Sequence, residues 1–299
     1  MNGMKKNDYL VILFLFTITL IYYLPVLTSQ THQDNINVLN GCCWINRTLY
    51  SIILMIGGLN TFKLFFLLMV SLIPVYIYLF SHDKLYGFLY GLFVVLIYDK
   101  FIFYAYSHDS MCMVLTLSFM SLYYQNIKSI LLLSFHRIEN LILITYKKPI
   151  YIILPLIIYL YSKNRIVETH FRIHLFFFPY QINDFGSLAY LIILSGLIGS
   201  LILFNTDKRY KYLLYMALLS HLWVYAYGDY NPRYYLQFIV LWYYIAFYPI
   251  YLIVKFMIKR LKLYTENIRN KEKIINKKNI NPLKTRFIFR LCHKQYPLK

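Results

Sequence analysis

Four short clusters of polar residues stand at the edges or in the middle of apolar runs, and their residue types suit acid–base and phosphate chemistry. In Thr31-His32-Gln33-Asp34-Asn35, the Asp34 carboxylate can act as a general base towards a hydroxyl or help hold a divalent cation. On spacing alone, a solvated loop carboxylate is the plainer reading. In Tyr106-Ser107-His108-Asp109-Ser110, Asp109 stands where a carboxylate would cap the helix predicted to begin near Met111, a role that leaves a second one open. Phe135-His136-Arg137-Ile138-Glu139-Asn140 puts three ionisable residues in four positions of an apolar stretch. Such groups do not face lipid unpaired. They line a polar cavity, break the span, or pair with a neighbouring helix. In Tyr227-Gly228-Asp229-Tyr230-Asn231-Pro232-Arg233-Tyr234-Tyr235, a guanidinium among aromatics at a membrane boundary can grip a phosphate through two parallel bonds. Snorkelling towards water, with Asp229 as partner, is the plainer alternative.

Other chemistry has less support. His170 and His174 share a helical face beside Glu168, but no third strong ligand lies within reach along the sequence. The chain has no HExxH pattern, no Gly-rich phosphate loop, no CxxC pair and no nucleophile-elbow motif. Asn46-Arg47-Thr48 is the only N-glycosylation triplet.

The elements that must position these residues follow from composition. Of 299 residues, 60% are apolar and 14% charged, with a mean hydropathy of +0.51. Residues 255–299 carry 14 Lys/Arg against Glu266 and Glu272, which leaves only +7 for the rest of the +19 net charge. That balance excludes a soluble enzyme with a basic nucleic-acid face, and excludes disorder outside the tail. Four cysteines, two of them the adjacent Cys42 and Cys43, do not make a disulfide scaffold. The expected fold is all-α: a polytopic transmembrane helix bundle of about 9–10 spans, each needing roughly 20 apolar residues. Tyr9–Leu27 reads as an uncleaved first span. The others are Leu64–Phe80, Tyr86–Tyr98, Met111–Tyr124, Ile127–Thr145, Ile150–Tyr161, Ser187–Phe204, Tyr212–Tyr227 and Tyr234–Met257. The first outer loop, 28–60, is expected to contain an interfacial helix over Ile36–Gly58.

The membrane core is read as 1–258 and the basic tail as 259–299. Lys5/Lys6, Lys84, Lys128, Lys163/Arg165, Lys208/Arg209/Lys211 and the tail fall on one side if the spans alternate. The positive-inside rule makes that side the cytoplasm. The assignment requires Ile166–Ile182 to cross or dip into the bilayer, and Lys147 and Lys148 count against it. The chain is thus a multi-pass cell-membrane protein with both termini cytoplasmic. Asp34, Asp109, Asp184 and Asp229 then lie at the outer face, where a substrate must arrive through the lipid.

Taken in order, the clusters resemble those of the GT-C superfamily, polytopic glycosyltransferases of the protein O-mannosyltransferase kind that use polyprenyl- or dolichyl-phosphate sugars. Members open with one span, then an outer loop with an acidic motif and an interfacial helix, as at Asp34 and Ile36–Gly58. Phe101–Tyr124, FIFYAYSHDSMCMVLTLSFMSLYY, is similar to their aromatic loop leading into an apolar helix. FHRIENLIL, Phe135–Leu143, resembles a Thr-Arg-Pro-Glu-like element, with Arg137 and Glu139 at the matching positions and no Pro. Pro232-Arg233-Tyr234-Tyr235 matches an Arg-Tyr pair opening a final span. The chain departs from the pattern in having Gln33-Asp34-Asn35 for paired acids, fewer spans and no C-terminal outer domain, making it a short form.

The resemblance implies an inverting transfer of a sugar from the carrier to a lipid, glycan or protein acceptor at the outer face. Asp34 and Asp109 would be catalytic. His32, His108, Arg137, Glu139, Arg233 and Tyr234 would bind substrate. Asp34 and Asp109 would be the ligands of any divalent cation, and no other cofactor is implied. Partners would be membrane lipids and the lipid-linked sugar, without nucleic acid, and a partner subunit could supply acceptor recognition. The competing readings are a lipid-linked polysaccharide polymerase or ligase, and a transporter or assembly subunit. The first usually carries a large late outer loop, which this sequence lacks, and the second often shows internal repeats, also missing here. Each Lys/Arg of the tail near an anionic leaflet adds on the order of 1 kcal/mol of attraction.

Overall fold

The computed structural model describes residues 6–30, 48–134, 140, 153, 189–227 and 235–292. Among these every regular element is helical, as a chain rich in long apolar runs requires: in hydrocarbon, a helix satisfies its own backbone hydrogen bonds. Helix α1 (Lys6–Tyr23) runs into a 3-10 turn over Leu24–Leu27, where Pro25 withholds an N–H and ends the α-helical ladder. Helix α2 (Thr48–Phe80) is broken at Gly58, whose φ of 67° and ψ of −164° lie in a region that essentially only glycine occupies. Helix α3 (Lys84–Leu92) starts on Asp83, which accepts from the N–H groups of Leu85 and Tyr86. It passes through a π turn at Phe93–Ile97 to Tyr98, where the backbone is extended, and resumes as α4 (Asp99–Tyr106). Then come α5 (Ser110–Tyr124), α6 (Ile127–Ser134), α7 (Ala189–Thr206), α8 (Lys208–Tyr227) and α9 (Leu236–Cys292).

Helix α2 packs against α1, α3 and α5. Three stretches are long and apolar enough to cross a membrane: Lys6–Leu27, Ile52–Phe80 and Leu236–Ile268. The pair Lys84–Ile97 and Asp99–Tyr106, bent by 58°, passes the same test if it counts as one span; Met111–Tyr124 and Tyr190–Thr206 are apolar but shorter. Leu10, Leu13, Ile21, Ile56, Leu194 and Leu201 stand on the outside of these helices. So much exposed apolar surface marks contact with lipid or partners.

The expected boundaries shift in two places. The stretch expected to start at Leu64 is helical from Ile52, because Gly57 through Lys63 continue the helix across the Gly58 break. The chain expected to leave the membrane at Tyr98 bends there and makes another two turns of helix, so Phe101–Tyr106 is helix and not loop. The region expected to form the interfacial helix is described only from Thr48, and it is helical up to the break at Gly58. Of the expected span Ile127–Thr145, Ile127–Ser134 is helix α6 and the rest lies almost wholly outside the described residues, as do Ile150–Tyr161 apart from Ile153 and all of Ile166–Ile182.

The core is unusually rich in tyrosine, and each phenol needs a partner once buried. Tyr86 donates to the carbonyl of Tyr244 and Tyr90 to that of Val240. Ser81 Oγ and the Tyr244 hydroxyl lie 2.7 Å apart, and the Tyr210 hydroxyl accepts from the His82 N–H at 2.9 Å. The rings of Phe80, Phe119 and Tyr210 close around Tyr244. These bonds join the Phe80–Lys84 corner, the start of α8 and the Leu236–Pro249 part of α9. Tyr78 donates to Asp8 Oδ1 at 2.6 Å at the same end of α2, so Asp8, Lys84 and Asp207–Lys211 share one end of the bundle. The chain divides into two compact units, Met1–Pro249 and Ile250–Lys299.

Candidate functional site

At the other end of the part of α2 that follows the Gly58 break, three separate stretches meet. The first is the end of the turn after α1. Thr28 N–H bonds the Pro25 carbonyl at 3.0 Å and Ser29 N–H the Val26 carbonyl at 3.2 Å, which leaves the Leu27 and Ser29 carbonyls facing outward from the turn. The second is Lys63, five residues past the Gly58 break. Its ammonium donates to the Leu27 carbonyl at 3.2 Å and to the Ser29 carbonyl at 2.8 Å. A cation on carbonyls that no helical N–H reaches is the favourable charge for a helix C-terminus. The third is the corner Tyr106–Asp109 between α4 and α5. Ser29 Oγ donates to the Tyr106 carbonyl at 2.7 Å, across 77 residues of sequence.

That corner is a tight reversal. Ser107 N–H bonds the Phe103 carbonyl at 3.2 Å, His108 N–H that of Ala105 at 3.1 Å, and Asp109 N–H that of Tyr104 at 2.9 Å. His108 takes φ +57°, a left-handed conformation that His, Asn and Asp adopt more readily than most residues. Asp109 then caps α5: its Oδ1 accepts from Met111 N–H at 2.9 Å. The capping role read from the sequence therefore holds.

Both side chains are buried, His108 at 0% and Asp109 at 3% exposure. The imidazole packs on Phe66, with ring centres 5.3 Å apart, and on Phe62 at 6.5 Å. Burial, and then the charge of Lys63, pull its pKa down to about 4, against the backbone carbonyls of Gln30 and Val26 that favour the imidazolium. At neutral pH the ring is uncharged, with one nitrogen able to donate and the other to accept. A neutral imidazole, a buried carboxylate at a helix N-terminus and an ammonium together can orient a hydroxyl or pass a proton. Among the described residues no group of three or more His, Cys, Asp or Glu is placed to hold an ion.

Of the residues expected to act, His108 and Asp109 are thus brought to one place. His32, Asp34, Arg137, Glu139, Arg233 and Tyr234 lie outside the described residues, as do Glu168, His170 and His174. Gln30, two positions before His32, has its backbone carbonyl against the His108 ring. The sequence reading missed Lys63. Its signal was a single cation inside the run Thr61-Phe62-Lys63-Leu64-Phe65-Phe66, a costly placement that asks for a partner. Ser29 carried no signal, since its partner is a backbone carbonyl.

No protein-family model, curated protein or solved structure matches the chain.

Proposed function

We propose that the chain is an integral membrane glycosyltransferase that moves a sugar from a polyprenyl-phosphate carrier to a lipid, glycan or protein acceptor, with inversion, at the outer membrane face. The observation that carries this reading is the seam between Ser29–Gln30 and Tyr106–Asp109. The hydrogen bond from Ser29 to Tyr106 and the Gln30 carbonyl against His108 bring the last described residues before Thr31 to the Tyr106–Asp109 corner. The cluster carrying Asp34 follows Gln30 directly in sequence, some 75 residues before Asp109.

In this reading that end faces outward, and the end carrying Lys84, Lys208, Arg209 and Lys211 faces the cytoplasm, which agrees with the positive-inside rule. Asp34 takes the proton of the acceptor hydroxyl as its oxygen bonds the anomeric carbon. The bond from that carbon to the phosphate oxygen breaks, and polyprenyl phosphate leaves with the electron pair. Arg233 stabilises the charge that grows on the phosphate. Asp109, which caps α5 through the Met111 N–H, orients a sugar hydroxyl. His108, uncharged, orients another, and Arg137, Glu139, His32 and Tyr234 complete the sugar pocket.

The test is transfer from a panel of radiolabelled polyprenyl-phosphate sugars by purified protein in lipid, comparing the wild type with Asp34→Asn and Arg233→Ala. Label that moves to an acceptor with the wild type, and in neither variant while both retain wild-type thermal stability, supports the reading. Absence of carrier binding by the wild type, or full turnover by Asp34→Asn, defeats it.

A further inference from the structure

The stretch Leu236–Ile268 is 33 residues long and apolar by composition. At 1.5 Å per residue that is about 50 Å of helix, against about 30 Å of bilayer hydrocarbon. If the helix stands upright, some 13 of its residues lie at headgroup depth or beyond. The unit Ile250–Lys299 has the chemistry for that depth. Ile250, Val254, Met257, Leu261, Tyr264 and Ile268 recur at alternating intervals of four and three, so they form one seam along α9, and all six are exposed. Leu261 is 61% and Tyr264 66% exposed.

Lys255, Lys259, Arg260 and Lys262 flank the seam and are exposed too. Two of these cations fold back on rings: Lys255 lies over Tyr251 at 5.4 Å and Arg260 over Phe256 at 5.1 Å. This is how long basic side chains sit at a hydrocarbon boundary, stem on the apolar surface and charge towards phosphate. Eight more Lys/Arg follow from 269 to 290 on the same helix, with Glu272 as the only acid.

We infer that the segment from Lys255 onward is a docking surface for anionic lipid headgroups in the leaflet where α9 leaves the bilayer. Charge complementarity selects the partner. A second copy of so basic a helix would be repelled, and RNA would leave the apolar seam uncovered. A basic helix with an exposed apolar seam suits the boundary between acyl chains and anionic headgroups. The inference does not depend on the glycosyl-transfer reading.

The experiment places the full chain in nanodiscs of phosphatidylcholine alone or with 30 mol% phosphatidylglycerol, and follows chymotryptic cleavage after Tyr264, Phe287 and Phe289. The expected result is cleavage roughly ten-fold slower in the anionic discs at low salt, with the difference lost in 1 M NaCl. Replacing Lys259, Arg260 and Lys262 together by Gln should remove most of the protection at Tyr264. These positions are exposed, so circular dichroism should show the helix intact. Equal cleavage in both lipids would overturn the inference. So would protection that rises with the number of chains per disc, or protection given by added RNA and not by anionic lipid.

Discussion

The Lys63 ammonium donates to the Ser29 carbonyl at 2.8 Å, which ties α2 just past its break to the point where the chain leaves α1 for its first long connection. The same ammonium holds the Leu27 carbonyl. Charge-assisted bonds of this kind contribute on the order of 1–3 kcal/mol, and losing them leaves carbonyls without partners at a helix end. Lys63→Met should lower the thermal stability of the purified protein by several degrees, and Lys63→Arg should restore part of the loss. Equal melting temperatures for wild type and Lys63→Met would show that water or lipid satisfies those carbonyls instead.

Asp109 separates a structural role from a chemical one. Its Oδ1 caps α5 through Met111 N–H, and replacing such a cap by Ala costs about 0.5–2 kcal/mol. Asn caps nearly as well but brings no charge. Asp109→Ala should therefore lose stability, and Asp109→Asn should keep it. If the carboxylate orients the sugar as proposed, Asp109→Asn should still lose at least ten-fold in transfer rate. Transfer that follows stability across both variants would leave Asp109 with the cap alone.

The burial of His108 sets a pH dependence. Its pKa is down to about 4 from an ordinary value near 6.5, first through burial and then through Lys63. Between those values the unfolded chain binds a proton that the folded chain does not. The ring's contribution to stability is therefore complete above pH 6.5 and is lost as the pH falls towards 4. The melting temperature should drop by roughly 5 °C between pH 7 and pH 4.5 on this account. His108→Asn, which tolerates φ +57° and does not titrate, should flatten that part of the curve. A wild-type curve already flat over this range would place the ring in water.

What the sequence made legible here follows from what each signal depends on. Apolar runs depend only on local composition, so α1, α5 and α7 were expected within a few residues of where they stand, and Asp109 could be read as a cap from its place before Met111. The bend at Tyr98 was not readable, because Phe93–Tyr106 has no Gly or Pro to mark it. It arises where the π turn shifts the hydrogen-bond register, Tyr98 N–H bonding the Phe93 carbonyl at 2.9 Å. In the sequence the 33 tyrosines register only as a feature of composition. Their hydroxyls in fact join helices by bonding carbonyls and each other, as Tyr86 does with α9, and such partners are visible only once the chain is folded. Lys63 belongs to the same case, since both of its partners are backbone oxygens.

The packing of α7 on α9 rests on Gly199. A Cβ at that position would stand 2.1 Å from the Ile245 carbonyl oxygen and 3.2 Å from Pro249 Cδ, so the two backbones approach as closely as the missing side chain allows. Ser195, one turn earlier, uses the same closeness to donate its hydroxyl to the Ala246 carbonyl. Small residues at helix contacts give such approaches in membranes, where there is little hydrophobic drive between helices. At Gly196 the obstacle to a Cβ is the Trp242 ring, with Cζ2 at 2.3 Å, a side chain that can turn aside at some cost. A carbonyl fixed in a helix cannot. Gly199→Ala should therefore destabilise the protein by about 1–3 kcal/mol, and Gly196→Ala by less. Thermal unfolding of the two variants in one detergent checks the order. If Gly199→Ala proved the milder of the two, the backbone contact between α7 and α9 would be looser than 2.1 Å implies, and the Ser195 bond would have to be what holds the pair together.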